Sequence, residues 1–194
     1  IFTIDGEDAK DLDDAVRVIK LENGNYELDV HIADVSYYVR ENSLLDQEAL
    51  IRGTSIYMLG RVIPMLPREL SNGICSLNAG EDRFTLSCSM EIDKKGKVIS
   101  SEIYKGIIKV TERMSYTDVQ KIIDASDEVT LKRYEPYIQE FKNMEELAII
   151  LKNRRIEEGY LNLDIPESKI DLDIDGNVTN ISKYETTFAH EIIE

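Results

Sequence analysis

The alternation of apolar and polar residues along the chain predicts a sheet built from hairpins. Residues 15–21 and 26–33 alternate as two strands, and residues 22–25 between them have the composition of a tight turn. A second pair of alternating segments follows at residues 84–92 and 97–110. We therefore expect two antiparallel hairpins to form most of the sheet.

Helical periodicity occupies the stretches between and after these strands. Residues 43–52 begin with a serine that can cap a helix, and residues 115–123 predict a second short helix. The longest helical pattern covers residues 134–158 and ends at Gly159, and another begins near residue 186. Together these elements predict an α+β fold in which one mixed, largely antiparallel sheet is flanked by helices.

The segment between the two hairpins contains a tyrosine outside any core pattern. Tyr57 lies in a stretch rich in glycine, serine and threonine, which predicts a loop, and Pro64 and Pro67 exclude a regular helix across them. An exposed tyrosine there can stack on a nucleobase, a contact worth roughly 1–3 kcal/mol. It can equally pack on its own neighbours, so the residues alone leave both roles open.

The densest polar feature is an acidic segment near the start of the chain. Six of the ten residues from Asp5 to Asp14 are acidic, and a single lysine dilutes them. Carboxylates this close repel one another unless a cation lies between them, and Mg²⁺ takes carboxylate oxygens as ligands. Leu12, Ala15 and Val16 indicate that the segment lies at the edge of a core. We therefore predict a divalent-cation site, with a solvated acidic loop as the alternative.

Two other polar features have structural interpretations. Residues 171–177 resemble the first half of an EF-hand loop, but the twelfth position, which should be a bidentate glutamate, is Ser182, so a hairpin turn is favoured. His31 and His190 belong to no Ser/His/Asp or Cys/His arrangement, and both are interpreted as structural. Hydrolysis by this chain would therefore use metal-activated water rather than a histidine base.

Composition indicates the size and cellular compartment of the protein, and its net charge bears on whether nucleic acid can be a partner. A chain of 194 residues with 42% hydrophobic residues suits one domain, and no apolar run approaches the length of a membrane span. Two cysteines, Cys75 and Cys88, are typical of a reduced, cytoplasmic setting. The chain starts without methionine and stops within a helical pattern, so we expect a piece of a longer protein.

The net charge of −15 argues against a nucleic-acid partner, unless the acidic residues bind metal ions and a basic surface lies elsewhere in the longer protein.

Five blocks of the sequence carry a family resemblance, and they lie at residues 3–15, 31–39, 63–78, 113–117 and 189–194. The first reads Thr-Ile-Asp-Gly-Glu-Asp-Ala-Lys-Asp-Leu-Asp-Asp-Ala, and the third contains Ile-Pro-Met-Leu-Pro and Leu-Ser-Asn-Gly-Ile-Cys-Ser-Leu-Asn. In content and order they resemble the RNB catalytic domain of the ribonuclease II and ribonuclease R family, and they are more similar to the ribonuclease R branch. On this resemblance, residues 1–194 are the N-terminal part of an RNB domain.

The resemblance implies an activity and a set of catalytic residues. The family's members are processive 3′→5′ exoribonucleases that hydrolyse single-stranded RNA to 5′-mononucleotides with Mg²⁺. Position by position, Asp5, Asp11, Asp13 and Asp14 match the four catalytic aspartates, which are the expected ligands of a two-metal site holding Mg²⁺ or Mn²⁺. Two ions about 4 Å apart can clamp a scissile phosphate, which agrees with a cluster of this kind.

The resemblance also implies contacts to the RNA. Tyr57 matches the tyrosine that stacks on the terminal base, and Tyr116 matches one that lines the RNA path. Leu163 stands where the family often has a phenylalanine that clamps the last bases, which weakens the expected stacking there. Glu194 falls near a glutamate of the active site.

Some parts of the family pattern lie outside these 194 residues. A catalytic arginine and the cold-shock and S1 domains that bind RNA are expected in the parent chain, which would account for the acidic balance. The piece alone is therefore expected to be a poor or inactive nuclease. Two alternatives stay open at this point: a non-enzymatic acidic module that binds divalent cations or a protein, and an RNB domain with a dead active site.

Overall fold

A computed structural model of the chain describes residues 1–161, 165 and 168–193. None of the helices in that part of the chain is long and apolar enough to cross a membrane. Its strands are β1 Phe2–Asp5, β2 Asp14–Lys20, β3 Tyr26–Ala33, β4 Ile56–Met58, β5 Arg61–Ile63, β6 Asp82–Ile92, β7 Val98–Lys109, β8 Glu112–Ser115, β9 Ser168–Leu172 and β10 Val178–Lys183. Its α-helices are α1 Val35–Tyr38, α2 Leu44–Arg52, α3 Tyr116–Ile123, α4 Glu128–Arg133, α5 Ile138–Glu157 and α6 Phe188–Glu191.

Six of the strands form one sheet in the order β7-β6-β3-β2-β1-β8. Neighbouring strands are antiparallel, except that β1 and β8 run parallel. The two predicted hairpins are β2–β3 and β6–β7, so the predicted α+β fold with a mixed, largely antiparallel sheet is confirmed. Two separate hairpins, β4–β5 and β9–β10, complete the strands of the described residues.

One face of the main sheet carries the larger apolar core. Phe2 of β1 and Val16 and Val18 of β2 are buried there, under α5. The ring of Phe141 in α5 lies 4.9 Å from the ring of Phe2, measured between centroids. Burying a side chain of this size stabilises the fold by roughly 1.5–3 kcal/mol. The helix therefore fixes β1, the strand from which the acidic segment leaves the sheet.

The opposite face of the sheet is small and polar. Thr3, Ala15, His31 and Ser87 follow one another across four adjacent strands, and all four are buried. His31 Nδ1 lies 2.8 Å from Ser87 Oγ, and burial lowers the pKa of the imidazole. The small side chains let Leu77 pack directly on this face. His31 is thus part of the sheet interior, in agreement with its structural interpretation.

The longest helix begins later than predicted. A 3₁₀ turn at Glu135–Tyr137 precedes α5, which starts at Ile138 rather than at residue 134. Pro136 explains the difference, because its ring removes an amide hydrogen and disfavours the helical conformation of the residue before it. The end of the helix agrees with the prediction, since Gly159 follows it in the left-handed region with φ of 94°.

The stretch around Tyr57 is a strand rather than the predicted loop. Tyr57 pairs with Val62 in the β4–β5 hairpin, which turns at Gly60 with φ of 74°. All six residues of these two strands are exposed, so the hairpin stands away from the main core. The residues after the prolines form a π-helical segment, Glu69–Ile74, with a non-helical conformation at Gly73.

Candidate active site at the acidic loop

The acidic loop, residues 6–13, connects the neighbouring strands β1 and β2. Leu12 anchors it: the side chain is 2% exposed, the amide donates to Ser76 Oγ at 3.1 Å, and the carbonyl accepts from the Leu77 amide at 2.7 Å. Ser76 Oγ also donates to the carbonyl of Lys10 at 2.9 Å. The acidic residues therefore lie at the edge of a core, as the apolar residues among them predicted.

A second anchor comes from β8. One guanidinium nitrogen of Arg113, Nη2, donates to the main-chain carbonyls of Gly6, Glu7 and Ala9 at 3.3, 2.8 and 2.8 Å. Neither Arg113 nor Ser76 was predicted to belong to the site. Each lies in a block of family resemblance, but no periodicity or charge pattern marks it, because only the folded sheet brings it to the loop.

Of the four predicted catalytic aspartates, Asp5 and Asp14 have raised pKa values, and neighbouring carboxylates contribute to both shifts. Burial raises the pKa of Asp5 to about 6, the carboxylates of Asp14, Asp13 and Asp11 add to this, and the guanidinium of Arg113 opposes it. Burial and the neighbouring Asp13 also raise the pKa of Asp14. The fold therefore holds several carboxylates together at an electrostatic cost.

The donor chemistry of this cluster fits a hard divalent cation. Oδ2 of Asp5 is buried and has no hydrogen-bond partner, which leaves a strong acceptor unsatisfied. Over residues 1–161, 165 and 168–193, no three His, Cys, Asp or Glu side chains yet converge as ligands of one ion. Asp11 and Asp13 are exposed, whereas Asp5 and Asp14 are partly buried. The four residues suit Mg²⁺ or Mn²⁺ by charge and oxygen type.

Tyr57 lies directly beside the acidic loop. Its hydroxyl donates to Oδ2 of Asp11 at 2.8 Å, and its side chain remains 68% exposed. This hydrogen bond, followed by partial burial, raises the pKa of the phenol. The arrangement presents an open aromatic face at the Asp11 end of the loop.

Tyr116 lies near the other end of the loop, in a cleft of about 730 Å³ that residues 6–9 also line. Its ring stacks on His190, with centroids 3.9 Å apart and planes 16° apart. Lys121 and Lys169 contribute positive charge to the same cleft. The structure thus brings Tyr57 and Tyr116 to the two ends of the loop. The predicted contacts at Leu163 and Glu194 lie outside the described residues.

The fold and the acidic site define a class of protein: the chain belongs to the RNB-domain family, whose sequence profile matches residues 1–194. Its relatives are ribonuclease R proteins, as the sequence blocks predicted. Ribonuclease R of Thermotoga maritima is 50% identical over 195 residues, which cover all of this chain and 27% of the relative. Ribonuclease R 1 of Lactococcus lactis is 53% identical over 193 residues, which cover all of this chain and 24% of the relative.

A solved structure shows the same fold. Mycoplasma genitalium RNase R in complex with ribose-methylated single-stranded RNA superposes with a TM-score of 0.90 at 32% identity. The superposition covers 99% of this chain and 30% of that one. The chain thus spans about a quarter to a third of the length of the relatives it matches.

Proposed function

We propose that this chain supplies the acidic part of the active site of a cytoplasmic, processive 3′→5′ exoribonuclease, which hydrolyses single-stranded RNA to 5′-mononucleotides. Family membership and the similarity to ribonuclease R proteins support an RNA exonuclease. Two free cysteines are consistent with a reducing compartment. The observation that carries the proposal is the electrostatic state of Asp5, whose half-buried carboxylate faces like charges and keeps one buried oxygen without a partner.

In this proposal the four aspartates hold two Mg²⁺ or Mn²⁺ ions. Asp5 is the last residue of β1 and Asp14 is the first of β2, so these two would form one side of the site, and the exposed Asp11 and Asp13 would supply the remaining ligands. Two such ions, when bound, polarise the scissile phosphate and lower the pKa of the attacking water. Mg²⁺ in proteins is usually bound by a few carboxylates together with substrate phosphates, so RNA would be expected to strengthen metal binding at this site.

The aromatic residues would hold the RNA end. The exposed ring of Tyr57 offers a stacking surface to the terminal base, while Asp11 fixes its hydroxyl. The cleft at Tyr116, with Lys121 and Lys169 at its border, accommodates the neighbouring nucleotides and their phosphates. Leu163 and Glu194 are proposed to complete the base clamp and the site. Further RNA contacts are assigned to cold-shock and S1 domains of the parent protein.

The test is the Asp13→Asn variant of the full-length parent protein. We expect cleavage of a single-stranded oligoribonucleotide to fall by about a hundredfold or more, because a metal ligand is lost, while RNA affinity stays within about threefold. Glu22→Gln is the matched control, since Glu22 is an exposed acid in the β2–β3 turn and lines neither the acidic loop nor the cleft at Tyr116. Denaturing gels measure cleavage, and fluorescence anisotropy measures binding.

Two results would contradict the proposal. Normal turnover by Asp13→Asn would remove the site assignment. A wild-type protein that binds Mn²⁺ equally well with and without a short RNA, and cleaves no RNA, would instead support an acidic cation-binding module or a dead active site.

A further inference from the structure

We propose that Arg113 is a positioning residue for the candidate metal site, acting through the main chain of the acidic loop rather than through RNA. The inference rests on the proposed function, because it assigns to Arg113 the placement of the carboxylates that would bind the ions. It concerns a residue that neither the charge pattern nor the predicted ligand set includes.

The evidence is a carbonyl cradle, formed by the main-chain oxygens of Gly6, Glu7 and Ala9 around Arg113 Nη2 at 3.3, 2.8 and 2.8 Å. Ala9 also donates its amide to the Gly6 carbonyl at 3.1 Å, so the cradle is a closed turn. Hydrogen bonds from a permanently charged guanidinium to neutral carbonyls are stronger than those between neutral groups. The turn is therefore held by one side chain at three points.

The position of Arg113 follows from the strand pairing. β8 runs parallel to β1, with Arg113 opposite Thr3 and Ser115 opposite Asp5. Asp5, which precedes the acidic loop, thus pairs with a residue two positions from Arg113, which anchors the loop. A displacement of residues 6–9 relative to Asp5 would have to break the hydrogen bonds from Arg113.

A separate anchor holds the other half of the loop. Ser76 bonds the Leu12 amide and the Lys10 carbonyl, so the two anchors divide the loop between them. Asp11 lies beside the Ser76 anchor, and Asp5 precedes the turn held by Arg113. Loss of Arg113 should release residues 6–9 and leave residues 10–12 in place.

The experiment compares Arg113→Gln, Arg113→Lys and Arg133→Gln in the full-length parent protein. Arg133 is the matched control, because it is an exposed arginine of α4 whose guanidinium lies 4.8 Å from the ring of Tyr134. Hydrogen–deuterium exchange reports on the amides of residues 6–13. Calorimetric titration with Mn²⁺, in the presence of a ribose-methylated oligoribonucleotide, measures metal affinity without turnover.

For Arg113→Gln we expect faster exchange at residues 6–9 and a Kd for Mn²⁺ raised about tenfold or more, by analogy with the loss of residues that orient metal ligands. The kcat should fall by a similar factor while KM for RNA changes less than about twofold, because the proposed action of Arg113 is on the loop and not on the RNA. Arg113→Lys should recover part of the affinity, since lysine keeps the charge but lacks the planar donor group. Arg133→Gln should match the wild type.

The inference is overturned if Arg113→Gln exchanges and binds Mn²⁺ as the wild type does. It is also overturned if KM alone rises, since that would place Arg113 on the RNA. If the wild-type protein itself neither binds Mn²⁺ nor cleaves RNA, the proposed function fails as well. If the wild type does both and Arg113→Gln is unaffected, only the role of Arg113 fails.

Discussion

At the scale of single residues, Asp5 concentrates the electrostatic cost of the site. Its carboxyl is half-buried, faces other acids and has an oxygen without a partner. In water each of these conditions would be relieved by exposure, and inside the fold a cation can relieve all of them together. The stability of the metal-free protein should therefore depend on pH, because the cost of burying the Asp5 carboxyl among other acids arises only when that carboxyl is ionised.

We predict that the metal-free protein loses stability as the pH rises from 3.8 through about 6, because the Asp5 carboxyl ionises over that range. Its folded-state pKa of about 6 exceeds the ordinary value of 3.8, so the folded state binds the proton more tightly than the unfolded state. This contribution is complete below the ordinary pKa and is lost as the pH passes the folded one. The free energy of unfolding should fall by roughly 1–2 kcal/mol, with allowance for solvent screening. Urea unfolding in a chelator measures it.

The Asp5→Asn variant should remove most of this slope, and Asp14, whose pKa is also raised, should account for part of the remainder. Asp8→Asn, an exposed substitution in the same loop, should keep it. An unchanged slope in Asp5→Asn would assign the effect to other groups.

Two variants of Tyr57 distinguish the contribution of its ring to RNA binding from that of its hydroxyl. Tyr57→Phe removes the hydrogen bond to Asp11 and keeps the ring, whereas Tyr57→Ala removes both. In the parent protein we expect Tyr57→Ala to weaken binding of the RNA 3′ end by roughly 1–3 kcal/mol and to change the length of the end product, with Tyr57→Phe close to wild type. Anisotropy and product sizing measure these effects. Equal losses in both variants would move the role of Tyr57 from stacking to the hydroxyl.

At the scale of secondary-structure elements, the sequence predicts those helices and strands whose stabilising contacts lie close together along the chain. Ser43 caps α2 by accepting from the Asp46 amide at 3.2 Å, as the sequence predicts, and the two central hairpins follow from alternation and turn composition. β8 escaped prediction because four residues carry too few alternating positions, and its place is set by parallel pairing with β1. The dense run of carboxylates is visible in the sequence and predicts the candidate site, whereas Arg113 reaches that site only through the pairing of β8 with β1.

The packing of α5 on β1 gives a prediction about stability. Phe141 is completely buried against Phe2, so Phe141→Ala should lower the free energy of unfolding by about 3–5 kcal/mol through lost burial and a cavity. Ile149→Ala on the same helix, where the side chain is 43% exposed, should cost much less. Urea denaturation of both variants tests this, and equal losses would show that the helix is not anchored through Phe141.

At the scale of the whole molecule, the negative net charge conflicts with the proposed action on RNA. The net charge is −15, whereas the proposed function requires this chain to act on RNA, which is itself negatively charged. The contrast is local as well, since Lys121 and Lys169 border a cleft that also contains Glu7 and Asp8. RNA binding by this chain alone has to overcome repulsion that metal ions and additional basic surface would compensate.

We therefore predict that isolated residues 1–194 bind single-stranded RNA with a Kd above about 100 μM, and that added salt weakens this binding little, because few counterions are released. The full-length parent is the control and should bind more tightly, with a steep salt dependence. Fluorescence anisotropy between 50 and 200 mM salt, concentrations chosen to span roughly the range in which counterion release is measured, distinguishes them. Micromolar binding by the isolated chain would contradict the charge argument.

The carbonyl cradle has a consequence for biosynthesis. Its donor and its first acceptor are 107 positions apart, so a ribosome that has just made the acidic loop still has to add Arg113 before the turn can close. At about 5–20 residues per second this takes on the order of 5–20 s. During that interval the acidic loop lacks the hydrogen bonds from Arg113. Under the proposed function, the cleavage site could therefore not be complete until translation had moved about a hundred residues past the aspartates.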